Sequence, residues 1–203
     1  MLHAIRNETM RITQLRKDIE ELSKPVLMNH GFSQVGELGE HVKTGENGNK
    51  LAVLIEGVKD SDSFSISIRV LVRYQNIEAV FGAADSRSEY TVNKVLASES
   101  IRFDSYATQS LGELLNRLIS VEARNFLTEY GSDEAIVSNL NNNDYQTWVT
   151  SDKVAQFKVR LASAVLANNA KALAIAKGEA LKFCDKPWSE PNREVIQRLC
   201  ACV

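Results

Sequence analysis

Cysteine and proline are scarce in this chain of 203 residues, which contains three of each. Cys184, Cys200 and Cys202 all lie near the C-terminus, and an odd number without a regular framework predicts reduced thiols, not disulfides. Cys200-Ala-Cys-Val203 matches the C-a-a-X prenylation pattern, but no polybasic run precedes it and it continues a helical pattern. Because no histidine lies near these cysteines in the sequence, we expect no zinc site there.

Long apolar runs and a strong excess of one charge are also missing. No segment is apolar for long enough to cross a bilayer, and Met1 to Glu8 carry acid and base where a secretory signal has an apolar stretch. The formal net charge is only −2, which gives no global reason to expect nucleic acid or an anionic membrane as a partner. We therefore expect a cytoplasmic protein without a membrane partner.

The sequence lacks the motifs that identify common enzymes and nucleotide-binding proteins. It contains no Gly-x-Ser-x-Gly elbow, no HExxH and no phosphate-binding loop. His3, His30 and His41 are scattered, and Asp60 and Asp62 lie in a predicted turn, where aspartate commonly bonds to nearby backbone. We therefore predict no catalytic residue, no metal ligand and no cofactor.

The clearest positive signal is a strict alternation of side chains from Phe64 to Tyr74. One face would carry Phe64, Ile66, Ile68, Val70, Val72 and Tyr74, and the other would carry Ser65, Ser67, Arg69, Leu71 and Arg73. Since successive side chains of a strand point to opposite sides, the pattern predicts a half-buried β-strand. A second strand at 50–59 precedes it across a polar turn, so the two predict an antiparallel hairpin.

Weaker patterns complete the sheet and its first helix. A helix is predicted from Arg6 to His30, with a kink or a break before Pro25 and an end at a left-handed Gly31. Strand patterns at 32–43, 90–96 and 100–103 extend the sheet to between four and six strands. Residues 76–81 fit either a short helix or a bend.

From Thr108 onward the apolar period is that of helices. Ser110-x-x-Glu113 fits a capping box for a long helix that ends at Tyr130. Further helices are predicted after Ser132, from 151, after the turn at 168–169, and from 189. The predicted fold is α+β, with an N-terminal helix, an antiparallel meander of four to six strands and C-terminal helices. We divide the chain into an α+β core domain at 1–145 and a helical extension packed on it at 146–203.

Charge is distributed unevenly between the predicted helices. Residues 108–144 are mainly acidic, whereas the tail is basic. The basic residues of the tail are Lys153, Lys158, Arg160, Lys171, Lys177, Lys182, Lys186, Arg193 and Arg198. We favour two solvated faces that attract each other, and the alternative is a basic surface for an acidic partner. Trp148 and Trp188 are interpreted as anchors of the tail, with interface hot spots as the alternative.

A row of arginines on the polar face of the main strand is a feature that could bind nucleic acid. Arg69, Arg73 and Arg102 could contact phosphates, but the exposed aromatic residues that stack on bases are missing. We expect the acidic helix at 110–130 to cover this face and pair with the arginines. Nucleic acid is therefore not the expected partner.

The segment from Pro25 to Tyr74 resembles a family of uncharacterised bacterial proteins. Pro25-x-Leu27-x-x-x-Gly31-Phe32 is followed by a glycine-rich charged hairpin and a long alternating strand, and a later helix runs from Leu111 to Tyr130. The resemblance covers about residues 10–130. It implies a helix followed by an antiparallel sheet and supplies no catalytic residues. Similar proteins are candidate immunity proteins of bacterial toxin systems, so the resemblance implies an accessory protein.

Three hypotheses for the function follow. The first is a non-enzymatic protein that binds another protein, in its specific form an immunity-type inhibitor of a bacterial toxin. The second is a small-ligand-binding or hydrolytic protein with a site between the sheet and the C-terminal helices. The third is a homodimeric structural module in which alanines of the tail let helices approach closely. The sequence selects no binding face.

Overall fold

The structure, a computed structural model, describes residues 2–59, 63–82, 90–102, 108–141 and 152–203. It contains an N-terminal helix, a five-stranded antiparallel sheet and C-terminal helices, so the predicted α+β class is confirmed. The helices are α1 (Leu2–Asn29), α2 (Gln75–Phe81), α3 (Thr108–Arg117), α4 (Arg124–Tyr130), α5 (Asp133–Asn141), α6 (Lys153–Leu166), α7 (Ala170–Cys184) and α8 (Glu190–Cys202). A π-helical segment at Leu118–Ala123 joins α3 to α4, and short 3-10 helices lie at Glu46–Gly48 and Pro187–Ser189.

The strands are β1 (Gln34–Val35), β2 (His41–Thr44), β3 (Lys50–Lys59), β4 (Ser63–Arg73) and β5 (Val92–Arg102). Their order in the sheet is the order in the chain, which is the predicted meander. The single strand predicted at 32–43 is wrong. Gly36 and Gly39 bond to each other through their backbones, and Gly39 has a φ of +80°, so the chain turns back and pairs β1 with β2. The two strands predicted at 90–96 and 100–103 form one strand, β5.

The predicted alternation holds in β4, where Phe64, Ile66 and Ile68 are inaccessible to solvent and the serines between them are partly exposed. Near its end the strand departs from alternation, because Leu71 is as buried as Val70 and Val72. The strand therefore presents one apolar face along most of its length and two at its C-terminal end.

Helix α1 continues through Pro25 to Asn29, so of the predicted kink or break before Pro25 the break is wrong. The missing proline N–H removes one hydrogen bond, but Leu27 is fully buried two residues later and Phe32 is buried beyond the helix end. Their packing fixes the chain on the C-terminal side of the proline. Gly31 has a φ of +82° and the Phe32 amide donates to the Leu27 carbonyl over 3.0 Å, which confirms the predicted left-handed C-cap.

The capping box predicted at Ser110 is wrong, because α3 already begins at Thr108 and places Ser110 inside the helix. The helical apolar period predicted from Thr108 onward is also interrupted. Val121 is 47% exposed, whereas Ile119 and Ala123 are buried. The π-helical segment adds a residue to the turn and so rotates the helix face, which explains why a 3.6-residue period fails there.

The caps of the later helices agree more closely with those predicted from the sequence. The Ser132 hydroxyl accepts a hydrogen bond from the Ala135 amide at 3.2 Å. Asn168 is left-handed with a φ of +49°, and the Asn169 side chain accepts from the Ala172 amide at 3.0 Å, so the predicted turn is confirmed. Helix α8 starts as predicted, but the Ser189 hydroxyl donates to carbonyls of the preceding turn instead of capping it.

The chain divides into two compact units. The first consists of Met1–Lys43, Ala52–Val70 and Val95–Leu127, and in it α1 packs on α3. The second consists of Thr44–Leu51, Leu71–Lys94 and Thr128–Val203, and in it α6, α7 and α8 pack together while α2 and α5 contact α6. The predicted boundary at residue 145 lies outside the described residues and stays a prediction. None of the described helices combines the length and the apolar character needed to cross a membrane.

Gly57 of β3 provides a test of the packing in the first unit. A Cβ atom at this position would lie 2.3 Å from Cζ of the fully buried Phe64 ring. We expect Gly57→Ala to lower the free energy of unfolding by about 1–3 kcal/mol, measured by urea denaturation.

Gly178→Ala in α7 is the matched control, because its added Cβ meets no atom within 4 Å and the site is exposed. Alanine is the better helix former, so this variant should be as stable as the original or more stable by up to about 1 kcal/mol. A Gly57→Ala protein as stable as the Gly178→Ala protein would contradict the described contact with Phe64.

Candidate functional site

A groove with a volume of about 350 Å³ lies on the C-terminal helices of the second unit. Residues spaced by three or four positions on α6 and on α7 line it, together with the segment that follows α7. This spacing places side chains on one face of a helix, and the tight turn at Ala167–Asn169 brings the two faces together. The groove therefore follows directly from the helical pattern of the tail.

Positive charge dominates the lining of this groove. It contains four cations, Lys153, Arg160, Lys182 and Lys186, and one carboxylate, Glu179. Arg160 forms an ion pair with Glu179, and this hydrogen bond lowers the pKa of the Glu179 carboxyl. Because the only acid in the lining is paired with one of four cations, the groove carries a local excess of positive charge in a chain whose net charge is −2.

Aromatic side chains lie among these cations. Phe157 and Phe183 contact each other with ring centroids 5.6 Å apart, and they form the apolar part of the lining. Trp188 also lines the groove and is 69% exposed. The interpretation of Trp188 as an anchor of the tail is therefore wrong, because most of its surface faces solvent. Trp148 lies outside the described residues. An exposed indole beside cations is the type of side chain that dominates many protein interfaces.

A second feature is the carboxylate of Asp133 at the start of α5, which is only 5% exposed. Its Oδ2 atom accepts hydrogen bonds from Asn76 at 3.0 Å and from Asn49 at 3.5 Å. Its Oδ1 atom is buried and has no hydrogen-bond partner among the described residues. Desolvation raises the pKa of the Asp133 carboxyl, and the hydrogen bonds from asparagines act in the opposite direction.

The asparagines around Asp133 are themselves held in place. Asn49 is fully buried, donates to the Gly131 carbonyl at 3.2 Å and accepts from the Gln75 amide at 2.8 Å. The buried Tyr74 hydroxyl donates to the Tyr130 carbonyl, and burial raises the pKa of this phenol. Three segments distant in sequence therefore meet at Asp133. Sequence reasoning missed this cluster, since no local pattern connects Asn49, Asn76 and Asp133, which lie far apart in the chain.

A concavity of about 460 Å³ adjoins Asp133. Asp133, Glu134 and Asn76 provide its polar lining together with Ser138, and Val137 and Leu166 provide its apolar lining. The polar and apolar groups together suit a small ligand that has both characters.

One of the arginines on the polar face of the main strand forms an ion pair within the sheet. Arg69 pairs with Glu56 on the neighbouring strand, with Nε 2.9 Å from Oε2. Residues on adjacent strands are close enough for such pairs, and here one forms on the polar face of the sheet. The predicted pairing of these arginines with the helix at 110–130 stays a prediction. Arg73 and Arg102 are exposed.

The histidines remain separate in the structure. His30 lies at the end of α1, with Nε2 3.0 Å from the Ser120 hydroxyl, and burial lowers the pKa of His41 in β2. The side chain of His3 lies outside the described residues, as do Asp60 and Asp62. Among the described residues no group of three or more histidine, cysteine, aspartate or glutamate side chains is placed to hold a metal ion.

The cysteines lie in the helical tail. Cys184 and Cys200 are buried, whereas Cys202 is exposed. Burial raises the pKa of both buried thiols, which disfavours the reactive thiolate.

No family model, curated protein or solved structure matches the chain. The resemblance of residues 10–130 to bacterial accessory proteins therefore stays a prediction. We therefore infer the function from the geometry of the groove on α6 and α7.

Proposed function

We propose that the protein is a non-enzymatic binding protein that holds an acidic segment of another protein in the groove on α6 and α7. The observation that carries the proposal is the set of four cations around an exposed tryptophan, with a single carboxylate among them. An acidic segment with one apolar side chain complements this lining in charge and in hydrophobicity.

The lysines and the tryptophan of the groove have different physical roles in binding. Lys182 and Lys186 provide positive charge that attracts an acidic partner and sets its orientation. Trp188 provides a large, rigid surface that loses little conformational entropy on binding. The volume of about 350 Å³ suits one large side chain of the partner, with acidic residues on either side of it reaching the lysines.

A protein is favoured over a nucleic acid as the partner. The whole chain carries a net charge of −2, which repels an extended polyanion outside the groove. Among proteins with an acidic surface we propose a bacterial toxin as the partner, as the resemblance of residues 10–130 implies. The chain would then act as an inhibitor that occludes its target.

The proposal is tested with a fluorescent peptide in which glutamates surround one phenylalanine. We expect saturable binding by fluorescence anisotropy and weaker binding as the salt concentration rises. Lys182→Glu combined with Lys186→Glu should weaken binding about tenfold or more, and Trp188→Ala should weaken it without changing the salt dependence.

Lys171→Glu is the matched control for charge reversal, because Lys171 is exposed on α7 and does not line the groove. If this variant loses as much affinity per reversed charge as the double variant at Lys182 and Lys186, the binding depends on net charge alone and the groove is not the site. Capture from a native lysate with the original chain and with the double variant then identifies the partner, which should be absent from the second sample.

A further inference from the structure

Helix α7 is apolar on two opposite sides, and only one of them is covered within the described part of the chain. The covered side carries Ala176, Ala180 and Cys184 and packs against α6 and α8. The apolar residues of the opposite side recur at helical spacing and are all exposed: Ala174, Ile175, Gly178 and Leu181. A surface helix normally has polar residues on its outer side, whereas a helix that is apolar on all sides is normally buried. This outer face of α7 therefore has the composition of a surface that a partner covers.

The centre of the outer face is shaped for close contact with another helix. A Cβ atom at Gly178 would meet no other atom within 4 Å, so nothing in the chain covers this position. Ile175 and Leu181 lie on either side of it along the helix and are 49% and 46% exposed. Because glycine lets another backbone approach closely, a second helix can cross at Gly178 and cover both larger side chains.

We propose that the outer face of α7 binds the same face of a second copy of this chain. The two α7 helices are antiparallel and cross at a twofold axis beside Gly178. In such an interface each residue before Gly178 lies opposite the residue that follows Gly178 by the same number of positions in the other copy. Ile175 of each copy then lies opposite Leu181 of the other, and both lose their exposed apolar surface.

The charges at the two ends of the outer face select this occupant. Lys171 and Asp185 are exposed and lie at equal distances along the helix on either side of Gly178. Antiparallel pairing places the Lys171 ammonium opposite the Asp185 carboxylate of the other copy, and the twofold axis repeats the pair at the far end. Lys182, which also lines the groove, lies opposite the small side chain of Ala174 at the margin of the face. A parallel pair would place like charges opposite each other, so the charges favour the antiparallel arrangement.

The size of the contact determines its strength. One helix of 15 residues from each copy contributes to it. A single pair of crossing helices buries less than the total of about 1,000 Å² that a stable complex needs, so we expect a dimer that dissociates on dilution. A membrane surface suits the outer face less well, because helices that lie on membranes present large apolar side chains where this face has Gly178 and Ala174.

The test is sedimentation equilibrium at chain concentrations from about 10 µM to about 1 mM. The average mass of the original chain should rise with concentration from that of one chain towards that of two. Lys171→Asp and Asp185→Lys each place like charges opposite each other at both ends, so each should weaken dimerisation about tenfold or more. The combined variant has opposite charges again and should recover dimerisation. Since the two positions lie about 21 Å apart along one helix, this recovery can arise only between chains.

The controls separate the contact at α7 from general effects of charge and from the fold. Gly178→Gln should also reduce dimerisation, and its circular dichroism should be unchanged because glutamine forms helices better than glycine. Arg198→Asp makes the same charge change at an exposed position on α8 and should dimerise like the original chain. Lys171→Asp should still bind the acidic peptide, because Lys171 does not line the groove, so dimerisation and peptide binding succeed or fail separately.

Two results would overturn the proposal. The first is an original chain that stays monomeric at the highest concentration, and its cosedimentation with anionic lipid vesicles would then assign the outer face to a membrane surface. The second is a combined variant that dimerises no better than Lys171→Asp alone, because the two charges would then not lie opposite each other.

Discussion

Lys158→Met should lower the free energy of unfolding by about 3–5 kcal/mol, because it leaves the carboxylate of Glu78 buried without its cation. The Lys158 side chain is 2% exposed and that of Glu78 is 13% exposed. The ammonium nitrogen lies 2.7 Å from each carboxylate oxygen, so both oxygens lose a charged donor in the variant.

The pair joins two helices of the second unit, α6 and α2, and the Thr91 hydroxyl adds a hydrogen bond to Glu78 at 2.9 Å. Urea denaturation followed by circular dichroism gives the free energy of unfolding. The double variant Lys158→Met with Glu78→Gln should regain a large part of the loss, since no charge is then buried and Thr91 can still donate to the amide oxygen.

Arg117→Met is the control for an exposed pair. Arg117 contacts Glu99 with both side chains nearly half exposed, so this change should cost no more than about 1 kcal/mol. If Lys158→Met costs as little as Arg117→Met, or if the double variant is no more stable than Lys158→Met, the account of a buried charge left unpaired is wrong.

Ile68→Ala in β4 should cost about 2–5 kcal/mol, the range for removing a branched apolar side chain from a packed core. Ile68 is inaccessible to solvent at the middle of the strand. The loss combines the apolar surface that is no longer buried with the cavity that remains, since the neighbouring residues can move in only partly.

Ser67→Ala in the same strand is the matched control, because Ser67 lies on the partly exposed face. A change there should alter the free energy of unfolding by no more than about 0.5 kcal/mol. Both variants are measured by the same urea titration. Similar losses at the two positions would contradict the assignment of a buried and a solvent-facing side to β4.

The burial of Lys158 also affects how tests of the proposed binding groove are designed. Lys158 lies between Lys153 and Arg160 on the same helix, yet it faces the Glu78 carboxylate while the other two line the groove. Loss of peptide binding in a Lys158 variant would therefore report damage to the fold. Variants at Lys182 and Lys186 test the groove itself, because both residues are exposed and line the groove. The hydrogen bonds described for Glu78 come from Lys158 and Thr91.

Local sequence was sufficient for several elements. The alternation in β4 and the apolar residues of β3 predicted two neighbouring strands, since a period of two is a property of the extended chain itself. Gly31, Ser132 and Asn168–Asn169 marked helix ends and turns through preferences of single residues. The α+β class followed from these local signals.

The tertiary structure decided what local patterns cannot encode. The sequence pattern predicts Lys158 as one more cation of a solvated basic tail. Only its contact with Glu78, eighty residues earlier in the sequence, shows that it lies in the interior. Asn49, Asn76 and Asp133 each have an ordinary local role, and their convergence depends on three segments that the fold brings together. The exposure of Trp188 and the π-helical rotation at Leu118–Ala123 likewise depend on packing. The sequence by itself determined the strands β3 and β4 and the general positions of the helices, because these depend on neighbouring residues. Which polar side chains are buried or face a cavity depends on contacts between distant segments, and so only the folded chain decided the candidate sites.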